Sequence, residues 1–478
     1  MTGNTIQRVS DSTQSKIDAF LAKISEIALS LKELDKKQIV RIITHLDADG
    51  ICAASIMIKA LTREGYKFSL SIVPQLNEET LKTLAKEDYF YNIFLDLGSG
   101  QITLIKKYLE KRKIFVIDHH HIENEENSIY HVNPHHFNID GGTSISGAGV
   151  SYLVAKALDG KNKDSAFLAL IGAIGDAQEN NGFSDLNEII LKDAIASKKL
   201  IIKKGLKLFG SQTRPLHKTL ELSNDMRIPG VTNSESGSIQ FLHDLGINPK
   251  LNGRWKTLAQ LSPKEERTLI TGIILKRENE KNPEDVFGET YLLANEAKDS
   301  LFYNAKEFST LLNACGRLDK PSIGIGICLG SKKAKKKAQT LLKNYKIELM
   351  ESLDLIYKNK LGEDIIKGDK LLLINAKHAI RTSIIGTVSS ILSKSPDFKE
   401  YEYIIIMGRD DQQQSKISFR TSQRKEDINL RTIMKEILKG IGGEFGGHKH
   451  AAGAIVPVDK EEEFIQAAQE HLKKIVKK

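Results

Sequence analysis

The sequence predicts an α/β protein whose first lobe is a doubly wound parallel sheet. In the first third of the chain, short segments that are apolar throughout alternate with segments of helical periodicity. Strands of this kind are buried on both faces, as in parallel sheets covered by helices. The same alternation returns late in the chain, after a helical stretch. We therefore expect a smaller second α/β lobe, a helical connector, and a cleft between the lobes.

The predicted elements of the first lobe follow one another closely. An amphipathic helix is expected at 14–36, where apolar residues recur at helical spacing. Beyond it, apolar runs predict strands at 39–44, 68–73, 91–96 and 113–118. Periodic segments predict helices at 51–65, 77–87, 102–111, 145–160, 164–177 and 186–199.

The later part of the chain predicts the connector and the second lobe. Strands are expected at 322–329, 369–376, 401–408 and 415–421, and helices near 334–357, 382–393, 427–439 and 459–476. The expected domains are an N-terminal helical segment at 1–36, the first lobe at 37–205, a helical connector or insertion at 206–300 and the second lobe at 301–478.

The composition is that of a cytoplasmic protein with sizeable cores. The chain has 478 residues, of which 40% are hydrophobic and 27% charged, and its net charge of +9 permits a nucleic-acid partner. It contains no apolar run of about 20 residues, so we expect no membrane association. Its three cysteines are scattered and form no CxxC pair, which excludes a disulfide scaffold.

Polar residues follow three of the four predicted strands of the first lobe. Because the carboxyl ends of parallel strands share one edge of a sheet, these residues are expected in one crevice. They are His45, Asp47 and Asp49 after the first strand, Asp96 after the third, and Asp118, His119 and His120 after the fourth. Asp176 interrupts an otherwise apolar helix, where a carboxylate is costly unless it is paired or bound to a metal.

Carboxylates gathered at one edge repel one another and need a cation. Oxygen ligands mixed with imidazole nitrogen favour Mn²⁺ or Mg²⁺, and two ions about 3.5–4 Å apart suit phosphoryl displacement. Taken singly, an Asp after a strand is more often a helix N-cap or turn residue, and Asp140 is interpreted in this way. Four further histidines are interpreted as surface or supporting residues: His121, His131, His135 and His136.

Four sites in the first lobe resemble the first four motifs of the DHH phosphoesterase superfamily: His45-Leu-Asp47-Ala-Asp49-Gly50, Asp96, Asp118-His119-His120 and Gly175-Asp176. The segment GGHKHAAG at 446–453 resembles the signature of the DHH-associated domain. Within the superfamily, the chain most resembles archaeal RecJ-like single-strand exonucleases, including the type associated with the GINS replication complex. The resemblance covers about 35–200 and 300–457.

The resemblance implies a role for each of these residues. Six side chains would hold two ions: His45, Asp47 and Asp96 the first, and Asp49, Asp96, His119 and Asp176 the second. Asp118 would orient the histidine pair, and His120 would lie by the substrate phosphate. Asp49, Asp118 and His120 are accordingly the expected catalytic residues.

Phosphate contacts are expected from the second lobe. Gly446 and Gly447 leave backbone N–H groups accessible to a phosphate, and His448 follows them. Arg420 ends a predicted strand and suits a phosphate fork. Asn313 is a weaker substrate candidate, because helix packing explains it equally well.

The sequence thus predicts a metal-dependent exonuclease that hydrolyses single-stranded DNA or RNA in replication, repair or RNA turnover. Two alternatives stay open: a phosphodiesterase acting on short oligoribonucleotides or cyclic dinucleotides, and a catalytically silent scaffold of a replication complex. Association with GINS or the replicative helicase is implied by the resemblance alone. The residues favour neither DNA nor RNA, and neither polarity of digestion.

Overall fold

The computed structural model describes residues 11–180, 182–223, 226–280, 282–422 and 428–476. The chain forms two compact units, which divide between Leu342 and Lys343. Among the described residues, no helix combines the length and the apolar composition needed to cross a bilayer.

The first unit is built around a five-stranded sheet in which every strand runs parallel to its neighbours. The sheet order is β2-β1-β3-β4-β5. Its strands are β1 Ile39–His45, β2 Lys67–Val73, β3 Tyr91–Leu95, β4 Lys113–Ile117 and β5 Tyr130–Val132. The surrounding helices are α1 Asp11–Lys32, α2 Ala48–Arg63, α3 Glu78–Ala85, α4 Ile102–Leu109, α5 Gly147–Leu158, α6 Ala166–Gly175 and α7 Asp185–Ala196.

Helices cover both faces of this sheet. On one face α3 and α4 bury an apolar cluster that includes Ile43, Phe94 and Val116 of the central strands. On the other face α2 and α5 contact β1, β3 and β4. Burial on both faces explains why β3 and β4 are apolar throughout, and the doubly wound fold class is confirmed. The short edge strand β5 was not predicted, because three residues carry no recognisable period.

The rest of the first unit is mostly helical. A two-stranded antiparallel pair, β6 Leu200–Leu206 with β9 Phe287–Leu293, frames a segment that has its own apolar core. Within this frame lie α8 Leu216–Glu221, α9 Glu235–Asp244, the hairpin of β7 Lys250–Leu251 and β8 Arg254–Trp255, and α10 Pro263–Lys276. Two further helices follow, α11 Ala305–Arg317 and α12 Pro321–Cys328, and α11 packs against α6 and α2.

The prediction of a strand at 322–329 is wrong, because this segment forms α12. A short apolar run does not by itself distinguish a strand from a buried helix. Pro321 at the start of the segment favours the helix, since proline suits the first helical position. The domain boundaries expected from the sequence stay a prediction, and α11 and α12 lie within the first compact unit.

The second unit contains a six-stranded mixed sheet of order β10-β11-β12-β13-β15-β14. Its strands are β10 Ile365–Lys367, β11 Leu371–Asn375, β12 Tyr403–Arg409, β13 Gln414–Thr421, β14 Glu444–His448 and β15 Ala451–Pro457. Its helices are α14 Ile385–Lys394, α15 Leu430–Ile437 and α16 Glu461–Val476, and α13 Lys332–Tyr357 leads into the unit. One face of the sheet packs on α15 and α16, and this smaller α/β unit is confirmed.

Candidate metal centre

The candidate site lies at the carboxyl edge of the parallel sheet, where β1, β3 and β4 end side by side. β1 ends at His45, Asp96 follows β3 directly, and Asp118 follows β4 directly. Both β1 and β4 pair with β3, so the three strand ends are neighbours in the sheet. Parallel pairing therefore brings together segments that are far apart in the sequence.

Asp47 caps the helix that follows it, and its second carboxylate oxygen lies beside His45. Its Oδ1 caps α2 by accepting a hydrogen bond from the Gly50 N–H at 3.0 Å. Its Oδ2 lies 2.9 Å from Nδ1 of His45. Burial acts to raise the pKa of Asp47, but the adjacent His45 and the helix cap hold it well below its usual range.

Asp49 is buried, and the N-terminus of another helix binds its carboxylate. The N–H groups of Gly147 and Ala148, the first residues of α5, donate to its Oδ2 and Oδ1 at 2.7 and 3.1 Å. A helix N-terminus offers free N–H groups and partial positive charge, both of which stabilise a carboxylate. Close approach requires glycine here, because a Cβ on Gly172 would overlap Asp49 and one on Gly147 would overlap Asp96.

His119 directs one ring nitrogen at three carboxylates. Its Nδ1 lies 2.7 Å from the Gly141 carbonyl, which can only accept, so Nδ1 carries the proton. Its Nε2 is buried and has no hydrogen-bond partner among the described residues. This nitrogen lies 3.3 Å from Asp96, 3.4 Å from Asp176 and 3.7 Å from Asp49. Metal-binding histidines are held in the same way, by a hydrogen bond from their other nitrogen.

Asp118 orients the ring of His120. Its Oδ1 accepts from His120 Nδ1 at 2.8 Å, and its Oδ2 accepts from the Ser99 N–H at 3.0 Å. Burial acts to raise the pKa of Asp118, but the neighbouring His120 lowers it well below its usual range. The His120 ring is 42% exposed, which leaves its Nε2 available to a ligand. The His119 ring is oriented by the Gly141 carbonyl rather than by Asp118.

Asp96 is the least satisfied group of the site. It has a positive φ of 56°, and both of its carboxylate oxygens are buried without a hydrogen bond from any described residue. Burial first, and then the charges of Asp49 and Asp47, raise its pKa well above the usual range. Burial and Asp49 likewise raise the pKa of Asp176, whose side chain is 26% exposed. Such a cluster of carboxylates is costly unless protons or a cation neutralise its charge.

Divalent cations fit this set of donors. Two groups have ligand atoms that all lie within 4.8 Å of one another and share no member: His45, Asp47 and Asp96 form one, and Asp49, His119 and Asp176 form the other. A third group joins Asp96 to Asp118, His119 and His120. Carboxylate oxygens with imidazole nitrogens suit Mn²⁺ or Mg²⁺. The orphaned atoms of Asp96 and His119 are those that a cation would satisfy.

Sequence reasoning missed the contribution of α11. The Oδ1 of Asn313 accepts a hydrogen bond at 2.9 Å from the N–H of Ala48, the first residue of α2, which lies between Asp47 and Asp49. Gly316, one turn later, lies so close to the Leu46 carbonyl that a Cβ would overlap it. The sequence signal is an amide side chain on a predicted helix, which the sequence assigns equally to the substrate or to packing.

The phosphate-binding candidates of the second unit lie on neighbouring strands. Arg420 of β13 pairs with Ala451 of β15, which pairs in turn with His448 of β14. Arg420 and His448 therefore occupy one register position two strands apart. Gly446 and Gly447 belong to β14, the edge strand, and are exposed. The side chain of His448 lies outside the described part of the chain.

Three family models match the chain in succession. The model of the DHH family, N-terminal domain, matches residues 39–175, the DHH-CID domain matches 208–285, and the DHHA1 domain matches 369–474. The first match contains the whole cluster of Asp and His residues except Asp176, which immediately follows it. The second match covers most of the helical segment that has its own core.

Two relatives are similar over most of the chain. The protein MJ0831 of Methanocaldococcus jannaschii, which is named as an uncharacterized protein, is 30% identical over 462 residues, which are 94% of this chain and 97% of that protein. The protein YorK of the SPbeta prophage in Bacillus subtilis is named as a single-strand DNA-specific exonuclease. It is 23% identical over 88% of this chain, and the match spans 64% of its own length.

Two solved structures share the fold. RecJ from Thermus thermophilus, in complex with Mn²⁺, superposes with a TM-score of 0.57 at 16% identity, over 96% of this chain and 55% of RecJ. CDC45 from Entamoeba histolytica superposes with a TM-score of 0.62 at 12% identity, over 97% of this chain and 99% of CDC45. At these identities the likeness shows the fold alone.

Proposed function

This chain belongs to the DHH family, and we propose that it is a metal-dependent exonuclease that hydrolyses single-stranded DNA or RNA. The family match confirms the resemblance read from the motifs. The observation that carries the proposal is the pair of buried, unsatisfied groups, Asp96 and His119, at the centre of a carboxylate cluster. A protein that used this edge only as a scaffold would gain nothing from such a costly arrangement.

The cluster would hold two divalent cations, Mn²⁺ or Mg²⁺. His45, Asp47 and Asp96 would bind one ion, and Asp49, Asp96, His119 and Asp176 the other. Such cations neutralise phosphate charge and make water acidic enough to act as a nucleophile. The crystal structure of the RecJ relative with Mn²⁺ supports this choice of metal.

The chain's own groups position the ligands and meet the substrate. The α5 N-terminus fixes the Asp49 carboxylate, and the Gly141 carbonyl fixes the His119 tautomer. Asp118 holds the His120 ring by its Nδ1, which would leave the other ring nitrogen, Nε2, to contact a non-bridging phosphate oxygen. Arrangements of this kind are set before the substrate arrives, which is how a site stabilises developing charge.

A single strand is the substrate that these features favour. The name of YorK supports single-stranded DNA, although that protein extends well beyond the matched region. In the second unit, Arg420, His448 and backbone N–H groups of the exposed edge-strand residues Gly446 and Gly447 would bind backbone phosphates. Since phosphate contacts dominate such binding, affinity should fall steeply as salt rises.

The likeness to CDC45 favours a second candidate, a silent scaffold of a replication complex. That function predicts eroded ligands, whereas every position of the cluster carries a residue that can bind metal. Association with GINS remains a prediction from the resemblance. A phosphodiesterase acting on dinucleotides is the other alternative, and only substrate specificity distinguishes it.

One assay separates these three functions. The full chain is incubated with Mn²⁺ and end-labelled single-stranded DNA, RNA, linear dinucleotides and cyclic dinucleotides. Processive shortening of the long strands, lost in Asp49→Ala, is the expected result. Cleavage of dinucleotides alone would favour the small-substrate enzyme. Cleavage of nothing by the folded wild-type protein would favour the scaffold, and full activity of Asp49→Ala would refute the site.

A further inference from the structure

A cavity lies in the first unit, beside the metal centre but separate from it. It lies between the turn after α6, the β6–β9 pair and the start of α11, and it measures about 550 Å³ when the open solvent at its mouth is included. Phe209 and Tyr291 contribute aromatic surface, and Leu208 and Ile174 contribute aliphatic surface. An apolar wall with a few polar groups is typical of sites for small organic ligands.

Glu179 is the polar group of this cavity that lacks a full set of partners. Its side chain is 10% exposed, and its Oε1 lies 3.1 Å from Nζ of Lys306. Its Oε2 is buried and accepts no hydrogen bond from any described residue. The other carboxylates of the lining are engaged, since Glu289 accepts from the Tyr291 hydroxyl at 3.1 Å and Glu307 from a backbone N–H at 3.3 Å.

This unsatisfied oxygen indicates what kind of ligand the cavity takes. A buried acceptor without a donor is destabilising, so the fitting ligand carries an N–H group. Three carboxylates and two lysines line the cavity, which disfavours a phosphate as its occupant. A flat heterocycle with an N–H edge satisfies the carboxylate and packs on the aromatic rings.

The cavity is close enough to the metal centre to serve the same nucleotide. Glu179 follows the candidate ligand Asp176 by three residues. Lys306 lies in the first turn of α11, and Asn313 of the same helix binds the start of α2, which carries Asp49. The helix advances about 10 Å between these two residues, which is the reach of a nucleotide from its phosphate to its base.

We propose that this cavity receives the terminal nucleobase of the strand being hydrolysed, with an N–H of the base donating to Oε2 of Glu179. The inference rests on the proposed function and adds to it a pocket that senses the presence of a base. Every nucleobase offers an N–H donor on its Watson–Crick edge, so the pocket binds any base and does not discriminate between them. Stacking against Phe209 or Tyr291 supplies the remaining affinity.

The test compares two labelled single strands that differ only at their ends. One carries ordinary thymidines, and the other carries an abasic residue at both the 5′ and the 3′ end, so that either polarity is covered. With the full chain and Mn²⁺, kcat/KM should be at least about 10-fold higher for the strand with terminal bases. In Glu179→Gln this preference should shrink toward one, mainly through KM.

A matched control is Glu296→Gln, which removes a carboxylate from another Glu–Lys pair of the first unit. It should keep the wild-type preference. Equal rates on the two strands by the wild-type protein would overturn the inference and leave the exonuclease standing. Failure to hydrolyse either strand would instead overturn the exonuclease and, with it, the base pocket. The wild-type comparison needs no variant, so it holds even where Glu179→Gln folds poorly.

Discussion

The candidate metal centre at the carboxyl edge of the first unit's parallel sheet (the metal edge) and the glycine-rich edge strand β14 of the second unit are both proposed to interact with substrate phosphates. They differ in the burial of their residues. At the metal edge Asp49, Asp96 and Asp118 are buried, and backbone groups hold two of them. On β14, Gly446 and Gly447 are exposed. At the metal edge, several negative charges are held together although burial disfavours them. On β14, the proposed role requires only that backbone N–H groups can reach a phosphate. Substitutions should therefore affect catalysis at the first edge and affinity at the second.

The largest effect is expected from Asp96→Asn. Loss of a residue that only supports a metal ligand typically lowers activity by roughly 10- to 100-fold. The rate of hydrolysis should fall by more than this in Asp96→Asn, because Asp96 is the ligand that both proposed ions share. The metal-free variant should nevertheless unfold at no lower denaturant concentration than the wild type, since a buried charge repelled by Asp49 and Asp47 is removed.

Chemical denaturation in EDTA and an exonuclease assay measure the two outcomes on the same protein. Asp244→Asn, at an exposed helical Asp, should change neither quantity. An Asp96→Asn protein that is both active and less stable would contradict the assignment.

The next largest effect is expected from Asn313→Ala. The variant leaves the Ala48 N–H without an acceptor and loosens the N-terminus of α2, where Asp47 and Asp49 lie. Affinity for Mn²⁺ and kcat should each fall by about 10- to 100-fold, with KM for the strand little changed. Asn313→Asp keeps an acceptor oxygen at this position and should restore most of the activity. If Asn313→Ala and Asn313→Asp lose the same amount of activity and Mn²⁺ affinity, the hydrogen bond does not position the start of α2.

At the second edge, Arg420→Ala should act on affinity. We expect KM for a single strand to rise about 10-fold with kcat nearly unchanged, and the slope of log affinity against log salt to become shallower by about one. Lys360→Ala removes an exposed lysine that pairs with Asp354, and it serves as the control for charge alone. An equal loss in both variants, or a loss confined to kcat, would remove the distinction between the two edges.

The smallest effect on catalysis is expected from a substitution of His131, which contacts Ser99, the residue whose N–H donates to Asp118. Burial first, and then the neighbouring His136, lower its pKa to about 4 from an ordinary 6.5, and its Nε2 lies 2.9 Å from the Ser99 hydroxyl. The unfolded chain therefore binds the proton more tightly, so stability is full above pH 6.5 and is lost as pH falls toward 4.

His131→Gln should reduce this acid destabilisation by on the order of 1–3 kcal/mol, as measured by denaturant unfolding at pH 7 and pH 4.5. His121→Gln, at an exposed histidine, should leave the pH dependence as it is. If the free energy of unfolding falls between pH 7 and pH 4.5 by the same amount in His131→Gln as in the wild type, another group is responsible for the acid sensitivity.

The local pattern of apolar and polar residues was sufficient to predict much of this fold. The apolar runs of β1, β3 and β4 and the polar residues at their ends follow from burial on both faces, so the sheet edge could be predicted. The helix α12 could not, because its apolar run is too short to reveal a period. The bond from Asn313 to Ala48 joins positions 265 residues apart. Contacts of this kind are set by packing and leave no local signal.

The central claim is that buried Asp and His residues from separate strand ends share a pair of divalent cations. Calorimetric titration of Mn²⁺ into the EDTA-treated, dialysed full chain tests it without a substrate. The account predicts two ions bound per chain in the wild type, and loss of tight binding at both positions in Asp96→Asn. A wild-type chain that binds no Mn²⁺, or an Asp96→Asn chain that binds two ions as tightly as the wild type, would contradict it.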